Sequence, residues 1–316
     1  LLVVDEAHFA QSLSSKRTQA LLRLARHPRL RAIWMLTGTP MKNGRPVELF
    51  PLLAAIDHPL AHDQRSFEKY FCQGHWRESG SHRIWDCSGA SNLRELRRLL
   101  RPLILNRSKD GCFGLPPKIR QEHVITLSDS EARGFDHRLG LVLDEYRCRA
   151  QKGLVQLNAE SLAALSALRQ ISAEFKLPAV SAFVKELLGK GNAIVLFSCF
   201  IKPLELLQDH LGGVLLTGKK SLDKRESAVN AFQKGETNLL LTTYSTGGLG
   251  YTLHRARNVI LLERPWTPGD VVQAEDRCHR LGMDGSLISH WFKLGPADNL
   301  VDSLLTSKAE HIHMLM

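Results

Sequence analysis

Long apolar runs are missing from this sequence. None approaches the ~20 residues that a membrane-spanning helix requires, so a helical membrane anchor is excluded. The opening Leu1-Leu2-Val3-Val4 meets Asp5-Glu6 too soon to form the apolar core of a signal peptide. Internal repeats and low-complexity tracts are missing too. Cysteine is sparse, at Cys72, Cys87, Cys112, Cys148, Cys199 and Cys278, and no two stand in a C-x-x-C spacing. Such scatter supports neither a disulfide framework nor a zinc ribbon, and a reducing compartment is the expected setting. Cys72, His75, His82 and Cys87 offer two sulfurs and two imidazoles, but their spacing fits no standard zinc finger. Tyr70, Phe71, Trp76 and Trp85 point instead to a packed aromatic hairpin.

What is present is a chain of 316 residues, 43% hydrophobic and 23% charged, long enough for about two domains with buried cores. Lys and Arg number 42 against 32 Asp and Glu, a net charge of +10 that makes a polyanion the natural partner. Residues 1–150 carry +8 of that excess. It is densest where Arg94, Arg97, Arg98, Arg101, Arg107, Lys109, Lys118 and Arg120 face only Glu95 and Asp110. Taken alone, such a run reads as a solvated helix face.

Residues 1–40 read as strand, loop, helix, strand, with a helix over 18–26 and a strand over 32–36 that ends at Thr37-Gly38-Thr39-Pro40. That is the pattern of a parallel α/β domain. Residues 45–190 are mainly helical in pattern, broken at 74–91 and 111–117, with apolar positions at helical spacing over 93–105. Beyond 190, short apolar strands over 193–197, 214–217, 238–242, 258–262 and 287–292 alternate with helices over 203–211, 222–232, 270–280 and 299–305. This alternation implies a parallel sheet covered on both faces.

Asp5 and Glu6 follow an apolar strand directly, so they would project into the crevice at its carboxyl end. In phosphoryl transfer one carboxylate can hold magnesium and the next can orient the attacking water. Thr37 and Thr39 end the neighbouring strand at the same edge. Gln273, Arg277 and Arg280 recur at i, i+4 and i+7 on an expected helix, a stripe of long donors suited to polyphosphate. The competing reading of that helix is a surface salt-bridged one built on Glu275 and Asp276.

Asp5-Glu6-Ala7-His8, residues 36–40, Leu196-Phe197-Ser198, Gly218 with Arg225 and Phe232, Gly248-Leu249-Gly250, Trp266 with Pro268, and residues 273–282 stand in the order of the Swi/Snf family of helicase-like ATPases. The resemblance covers essentially the whole chain. Arg45-Pro46, Glu48-Leu49, the segment from Trp85 to Leu93 and Gln273-Ala274-Glu275-Asp276-Arg277 resemble most the distant subgroup that contains annealing helicases. The resemblance implies an α/β fold of RecA-like parallel-sheet lobes, one partial (1–58) and one complete (176–316), with a helical insertion and linker between them (59–175).

It also implies ATP and magnesium as cofactors and double-stranded DNA, read without sequence preference, as partner. By the same resemblance Asp5 is the magnesium carboxylate of a DEAH box, Glu6 the catalytic carboxylate, and Arg277 and Arg280 the finger arginines. Gln273, Gly248, Gly250 and Thr37 would serve the nucleotide. Ser198, Arg225 and Thr243 would touch the DNA backbone, joined by Arg97, Arg98 and Arg101 of the basic run. Thr252 and Met283 depart from the family pattern where asparagine and glutamine are usual.

The phosphate-cradling G-x-x-x-x-G-K-S/T loop is the largest omission. Gly213 to Lys220 imitates it, but its interior is an apolar strand and Lys220 stands where a hydroxyl must reach magnesium. The expectation is therefore the carboxy-terminal part of an ATP-driven DNA translocase, inactive by itself, whose partner is another protein or an absent amino-terminal half. A non-enzymatic DNA- or partner-binding fragment is the alternative. The expected location is the nucleoid-containing cytoplasm in a bacterium and the nucleus in a eukaryote.

Overall fold

Six parallel strands built from the most continuous apolar runs form the larger sheet. β5 (Lys118–Val124), β6 (Ile194–Ser198), β7 (Val214–Leu216), β8 (Leu239–Thr243), β9 (Asn258–Leu261) and β10 (Leu287–Lys293) lie in the order β5-β10-β9-β6-β8-β7. Every residue of β6, β8 and β9 is buried, as expected of central parallel strands covered on both faces. This computed structural model describes residues 1–79, 82–107, 114–151, 157–247 and 250–315.

The expected strands beyond residue 190 are all present, shifted by a residue or two at their ends. β5 departs from the sequence reading, because Lys118-Ile119-Arg120-Gln121-Glu122-His123-Val124 has no apolar run. It is largely exposed and holds the sheet's edge through seven backbone positions paired with β10. Polar, charged residues suit an edge strand that must not recruit another chain.

The helices in chain order are α1 (Lys16–Ala25), α2 (Phe50–Ala55), α3 (Gln64–Phe71), α4 (Leu93–Leu100), α5 (Asp129–Gln151), α6 (Leu157–Gly189), α7 (Ile201–Leu211), α8 (Leu222–Lys234), α9 (Tyr244–Gly247), α10 (Pro268–Cys278) and α11 (Gly295–Leu315). Three differ from the sequence reading. α4 stops at Leu100 rather than 105: Arg101 keeps a helical backbone and its N–H reaches Arg97 O, but Pro102 has no N–H with which to continue the ladder. α10 stops at Cys278, which leaves Arg280 beyond it. α11 is three times the expected length. Among the described residues no helix is long and apolar enough to cross a membrane.

The chain divides into two compact units. One contains residues 1–107, 266–269 and 304–315, the other residues 114–265 and 270–303. In the first, β1 (Leu2–Val4) and β2 (Ile33–Met35) pair in parallel, Leu2 opposite Ile33 and Val4 opposite Met35. Ala7, Ala10, Leu21, Leu52 and Ala55 pack under one face of this pair. A second cluster joins Met41, Phe50, Phe67, Phe71, Leu96 and Leu100 to Leu315 of α11. Gly44 has a φ of +68°, and a Cβ there would stand 2.6 Å from the Lys308 carbonyl oxygen, so this turn needs glycine twice over.

The aromatic hairpin is present as β3 (His75–Ser79) and β4 (His82–Asp86). Trp76 and Trp85 oppose each other with ring centroids 5.5 Å apart, and Arg65 lies 4.3 Å over Trp85. Cys72 is buried in the apolar cluster with Cys87 packed against it, and burial pushes the Cys72 thiol up to about 12.

The second unit's core packs α6 and α7 on the sheet through Val180, Val184, Leu204 and Leu207 against Ile194, Leu196, Leu239 and Leu241. A wholly buried Lys176 crosses that interface. Its Nζ donates to the carbonyls of Leu262 and Phe292 and pairs with Asp298 at 2.7 Å. A lone ammonium in such a place would cost several kcal/mol, so Asp298 and the carbonyls are obligatory companions.

Candidate functional site

In the first unit the parallel pairing of β1 with β2 carries both chains out at the same edge. Leu36 N–H donates to Val4 O at 2.8 Å and Ala7 N–H to Leu36 O at 2.9 Å, so residues 5–7 and 36–37 lie side by side. Glu6 then takes a left-handed backbone, φ 50° and ψ 48°, and its N–H donates to Asp5 Oδ1 at 2.9 Å. For a residue other than glycine, asparagine or aspartate this conformation costs about 1 kcal/mol or more. It turns the chain into the short 3-10 helix Ala7–Ala10 and separates the two carboxylates in direction.

The buried His8 ring ties the cluster together. Its Nδ1 lies 3.2 Å from Glu6 Oε2 and 3.1 Å from Thr37 Oγ1. A carboxylate only accepts, so this nitrogen carries the proton. The Thr37 hydroxyl oxygen also accepts from Thr39 N–H at 3.1 Å. The His8 side chain is 2% exposed and that of Glu6 41%, so a rigid, buried imidazole positions a carboxylate that reaches solvent. Asp5 is exposed, and its Oδ2 has no partner among the described residues. Thr39 is buried with an unsatisfied Oγ1, and a Cβ on Gly269 would stand 2.6 Å from its Cγ2, which explains glycine at 269. The structure thus brings Asp5, Glu6, Thr37 and Thr39 to one sheet edge. His8, given no role from the sequence, is the partner shared by Glu6 and Thr37.

In the second unit α10 carries Gln273, which is half-buried, and Arg277, which is buried. Arg280, past the helix end, returns its Nε to Asp276 O at 3.1 Å and its Nη1 to Thr252 Oγ1 at 2.9 Å. The expected three-residue stripe is therefore two helical residues and one in the following turn. Nor do Glu275 and Asp276 form a salt-bridged surface within their own helix. Glu275 is wholly buried and receives Arg120 Nε at 3.0 Å and Nη2 at 2.7 Å, with Lys118 Nζ at 3.2 Å. Burial alone would raise its carboxyl, but the Arg120 hydrogen bonds and the charges of Lys118 and Arg120 hold it below the usual range.

The pairing of Lys118 and Arg120 with Glu275 also corrects the reading of the basic run. These two cations, on β5, serve the second unit internally, whereas Arg94, Arg97, Arg98 and Arg101 stand exposed on or just after α4 in the first.

Ser198 is the second correction. It is wholly buried, and its hydroxyl oxygen lies 2.9 Å from both Glu263 Oε1 and Phe200 O, the single proton serving one of them, so the hydroxyl is taken up inside the unit rather than exposed. Thr243 is buried as well and bonds Thr246 Oγ1 at 3.0 Å. Arg225 is half-buried, and its Nε donates to Lys220 O at 3.0 Å. Gly250 has a φ of +85° with open space where a Cβ would be, and Gly248 lies outside the described residues.

Sequence reasoning missed Glu263. This wholly buried carboxylate accepts from the Ser198 hydroxyl and from Cys199 N–H at 2.9 Å, while Tyr244 donates its hydroxyl to Glu263 O at 2.7 Å. Burial pushes its carboxyl up against those hydrogen bonds and the nearby Lys176. A usable signal existed, since Glu263 follows an apolar strand just as Asp5 does. Among the described residues no group of three or more His, Cys, Asp or Glu side chains is gathered to hold a metal on protein ligands alone.

Comparison with known proteins bears on this arrangement directly. The chain matches the SNF2-related domain over residues 1–177 and the helicase conserved C-terminal domain over residues 179–282. It is 31% identical over 98% of its length to the DNA annealing helicase and endonuclease ZRANB3 of Mus musculus. It is 27% identical, over 98% of its length, to the SWI/SNF-related matrix-associated actin-dependent regulator of chromatin subfamily A-like protein 1 of Xenopus tropicalis. It spans 29% of the first of these relatives and 32% of the second. A solved Sulfolobus solfataricus SWI2/SNF2 ATPase core in complex with dsDNA is similar at 21% identity, covering 98% of this chain and 66% of that one, with a TM-score of 0.48. Since the SNF2-related match alone takes in more than half of the residues, and the helicase C-terminal match most of the rest, the chain belongs to the SNF2 family of helicase-like ATPase domains.

Proposed function

We propose that this chain is the carboxy-terminal part of an ATP-dependent double-stranded-DNA translocase that remodels DNA or protein–DNA complexes. The observation that carries the reading is the Asp5-Glu6 pair at the carboxyl edge of a parallel sheet, with Glu6 held by the buried His8 that also touches Thr37. An exposed aspartate with a free oxygen suits magnesium, which keeps most of its waters and is usually bound by one or two carboxylates plus substrate phosphates. ATP would supply the phosphoanhydride to be hydrolysed, and magnesium the positive charge that offsets its phosphate oxygens.

The chain's own residues then have separate tasks. Asp5 holds the cation and Glu6 orients or deprotonates water. In the second unit Arg277, Arg280 and Gln273 present positive charge and donors to phosphate oxygens. Gly250 lets the backbone approach a phosphate. Arg97, Arg98 and Arg101 meet the backbone of duplex DNA, and contacts of this kind position a protein without reading sequence. The resemblance to annealing helicases supports nucleic acid as the polyanion and, in a eukaryote, the nucleus as its place.

The test is DNA-stimulated ATP hydrolysis by the full-length polypeptide that contains this chain, with and without Glu6→Gln. Turnover abolished by that change supports the reading. Salt-sensitive DNA binding without any hydrolysis by the full-length protein would replace it with a non-hydrolytic binding module. The 316 residues alone are expected to show no turnover, because their sequence contains no G-x-x-x-x-G-K-S/T loop.

A further inference from the structure

Val271, Ala274, Glu275 and Cys278 of α10 stand at the spacing of one helix face, and all four are buried. Three of them are the small or apolar residues such a face calls for. Glu275 is not, although it is as deeply buried as any. An apolar side chain of similar volume in place of a buried ion pair is often as stable or more so, so stability does not account for a carboxylate here. What a bidentate guanidinium adds is direction.

The grip on this helix comes from the start of β5. Arg120 reaches Glu275 with Nε at 3.0 Å and Nη2 at 2.7 Å, and Lys118 Nζ lies 3.2 Å from the same carboxylate. Ser289 of β10 donates its hydroxyl to Glu275 and accepts from Trp291 Nε1 at 2.9 Å. The Arg120 guanidinium lies 4.9 Å over the Trp291 ring, so its fork is fixed by the indole as well as by the carboxylate. One turn further along, His279 Nε2 donates to Pro116 O at 2.7 Å. Residues 116–120 therefore hold the end of α10 at two levels.

Gln273 and Arg277 stand two residues either side of Glu275, about 160° around the helix from it and close to each other on the far face. Turning the helix by about 10° moves a side-chain head at a radius of about 5–6 Å by about 1 Å. A displacement of that size can cost about 10²-fold in a reaction that depends on alignment. We infer that Glu275, gripped by Arg120 and Lys118, is a positioning residue that sets the rotation of α10 and so the aim of Gln273 and Arg277 at phosphate oxygens. The inference rests on the ATPase reading above for what these two side chains aim at. It gives β5, an edge strand without an apolar run, a task in the chemistry of a helix far from it in sequence.

The experiment compares the full-length wild type with Glu275→Gln, Arg120→Gln and the double variant, by steady-state ATP hydrolysis and by hydrogen exchange without ligand. Arg138→Gln is the control, since it removes another ion pair of 2.7 Å, with Glu174, in the same unit. Each single variant should lower kcat about 10- to 100-fold while KM for ATP changes less than about threefold. The double variant should be no slower than the slower single one, because both changes release one grip. Arg120→Lys keeps the charge without the fork and should fall between wild type and Arg120→Gln. The Arg120 side chain is 44% exposed, so its replacement should spare the fold even where Glu275→Gln does not. Amides of residues 272–278 should exchange about tenfold faster in Arg120→Gln, with those of β6 and β8 unchanged. Arg138→Gln should match wild type in both measurements. Unchanged kcat in the single variants overturns the inference, as does a raised KM at unchanged kcat or a loss that multiplies in the double variant. Faster exchange across the whole sheet also overturns it, since the pair would then be a general structural tie. If the wild type hydrolyses no ATP, the translocase reading falls and exchange alone decides: acceleration confined to α10 upholds the positioning, and unchanged protection overturns it.

Discussion

The two parallel sheets of this chain begin from the same kind of strand and end in opposite conditions. In the second unit β6, β8 and β9 have no exposed residue, and helices cover both faces. In the first unit β1 and β2 alternate, Leu2, Val4 and Met35 packing inward while Val3 and Trp34 are 50% and 61% exposed. Leu36 continues that open face at 49%. Parallel strands are almost always covered on both sides, and among the described residues nothing covers this row. Chemical groups follow the same division. The second unit buries a charged pair, Lys176 with Asp298, in its core, whereas the first presents Asp5, Glu6 and four arginines outward.

The contrast is tested most severely by catalysis. In the full-length protein Glu6→Gln should cut turnover by roughly 10²–10⁴ while sparing ATP binding, as loss of a general base does. Arg277→Ala or Arg280→Ala should likewise lower turnover more than affinity, by up to about 10³–10⁵ for a complete arginine finger. Steady-state kinetics beside nucleotide binding separates these outcomes. A variant that loses binding and keeps its turnover would reassign that residue to ground-state contact.

Asp298→Asn comes next, because it strands the buried Lys176 ammonium. It should destabilise the second unit by about 3–5 kcal/mol in urea unfolding and leave the transition of the first unit in place.

Acid should also act on the second unit through the pair His123 and His290. Asn258 Nδ2 donates to Asn192 Oδ1, so its Oδ1 faces His290 Nε2 at 3.0 Å and accepts from it. His290 Nδ1 is then the acceptor from His123 Nε2, also at 3.0 Å. Burial, with the His123 charge as a smaller cause, pushes His290 from 6.5 down to about 4. The unfolded chain therefore takes up the proton first. The stabilising contribution is complete above about pH 6.5 and is lost as pH falls towards 4. Unfolding measured across that window should steepen with acid in wild type and flatten in His290→Gln.

The smallest effect belongs to the open face. Trp34→Glu should change stability by no more than about 0.5 kcal/mol yet reduce self-association in sedimentation, since it removes an exposed apolar side chain.

Apolar continuity explains which parts of this fold were legible in the sequence. Leu196 and Leu240 sit in runs that only a buried strand explains, and both ends of the chain are the parallel α/β structure that their patterns predict. β5 was illegible because its seven positions are held by the backbone of β10 and by Glu275, 155 residues away from Arg120, and neither leaves a local mark. The edge cluster was half legible. Asp5, Glu6, Thr37 and Thr39 were marked by strand ends, but His8 acts through a left-handed turn at Glu6 that no propensity suggests. Ser198 misled for the converse reason. A hydroxyl at a strand end reads as available, and only the distant Glu263 shows that it is occupied.

The apolar cluster that joins Met41, Phe50 and Leu96 also contains Leu315, with Ile312 packed against it. A ribosome delivers the first of these side chains some 270 residues before the last, which is many seconds at ordinary rates of synthesis of about 5–20 residues per second. The second unit, whose described residues end at 303, has all its strands in hand before α11 is finished. Folding order therefore runs against chain order. The portion made first waits, with Phe50, Phe67 and Leu96 incompletely covered, for the portion made last. Ribosome-bound intermediates truncated before residue 304 should therefore be protease-resistant in the second unit and sensitive in the first.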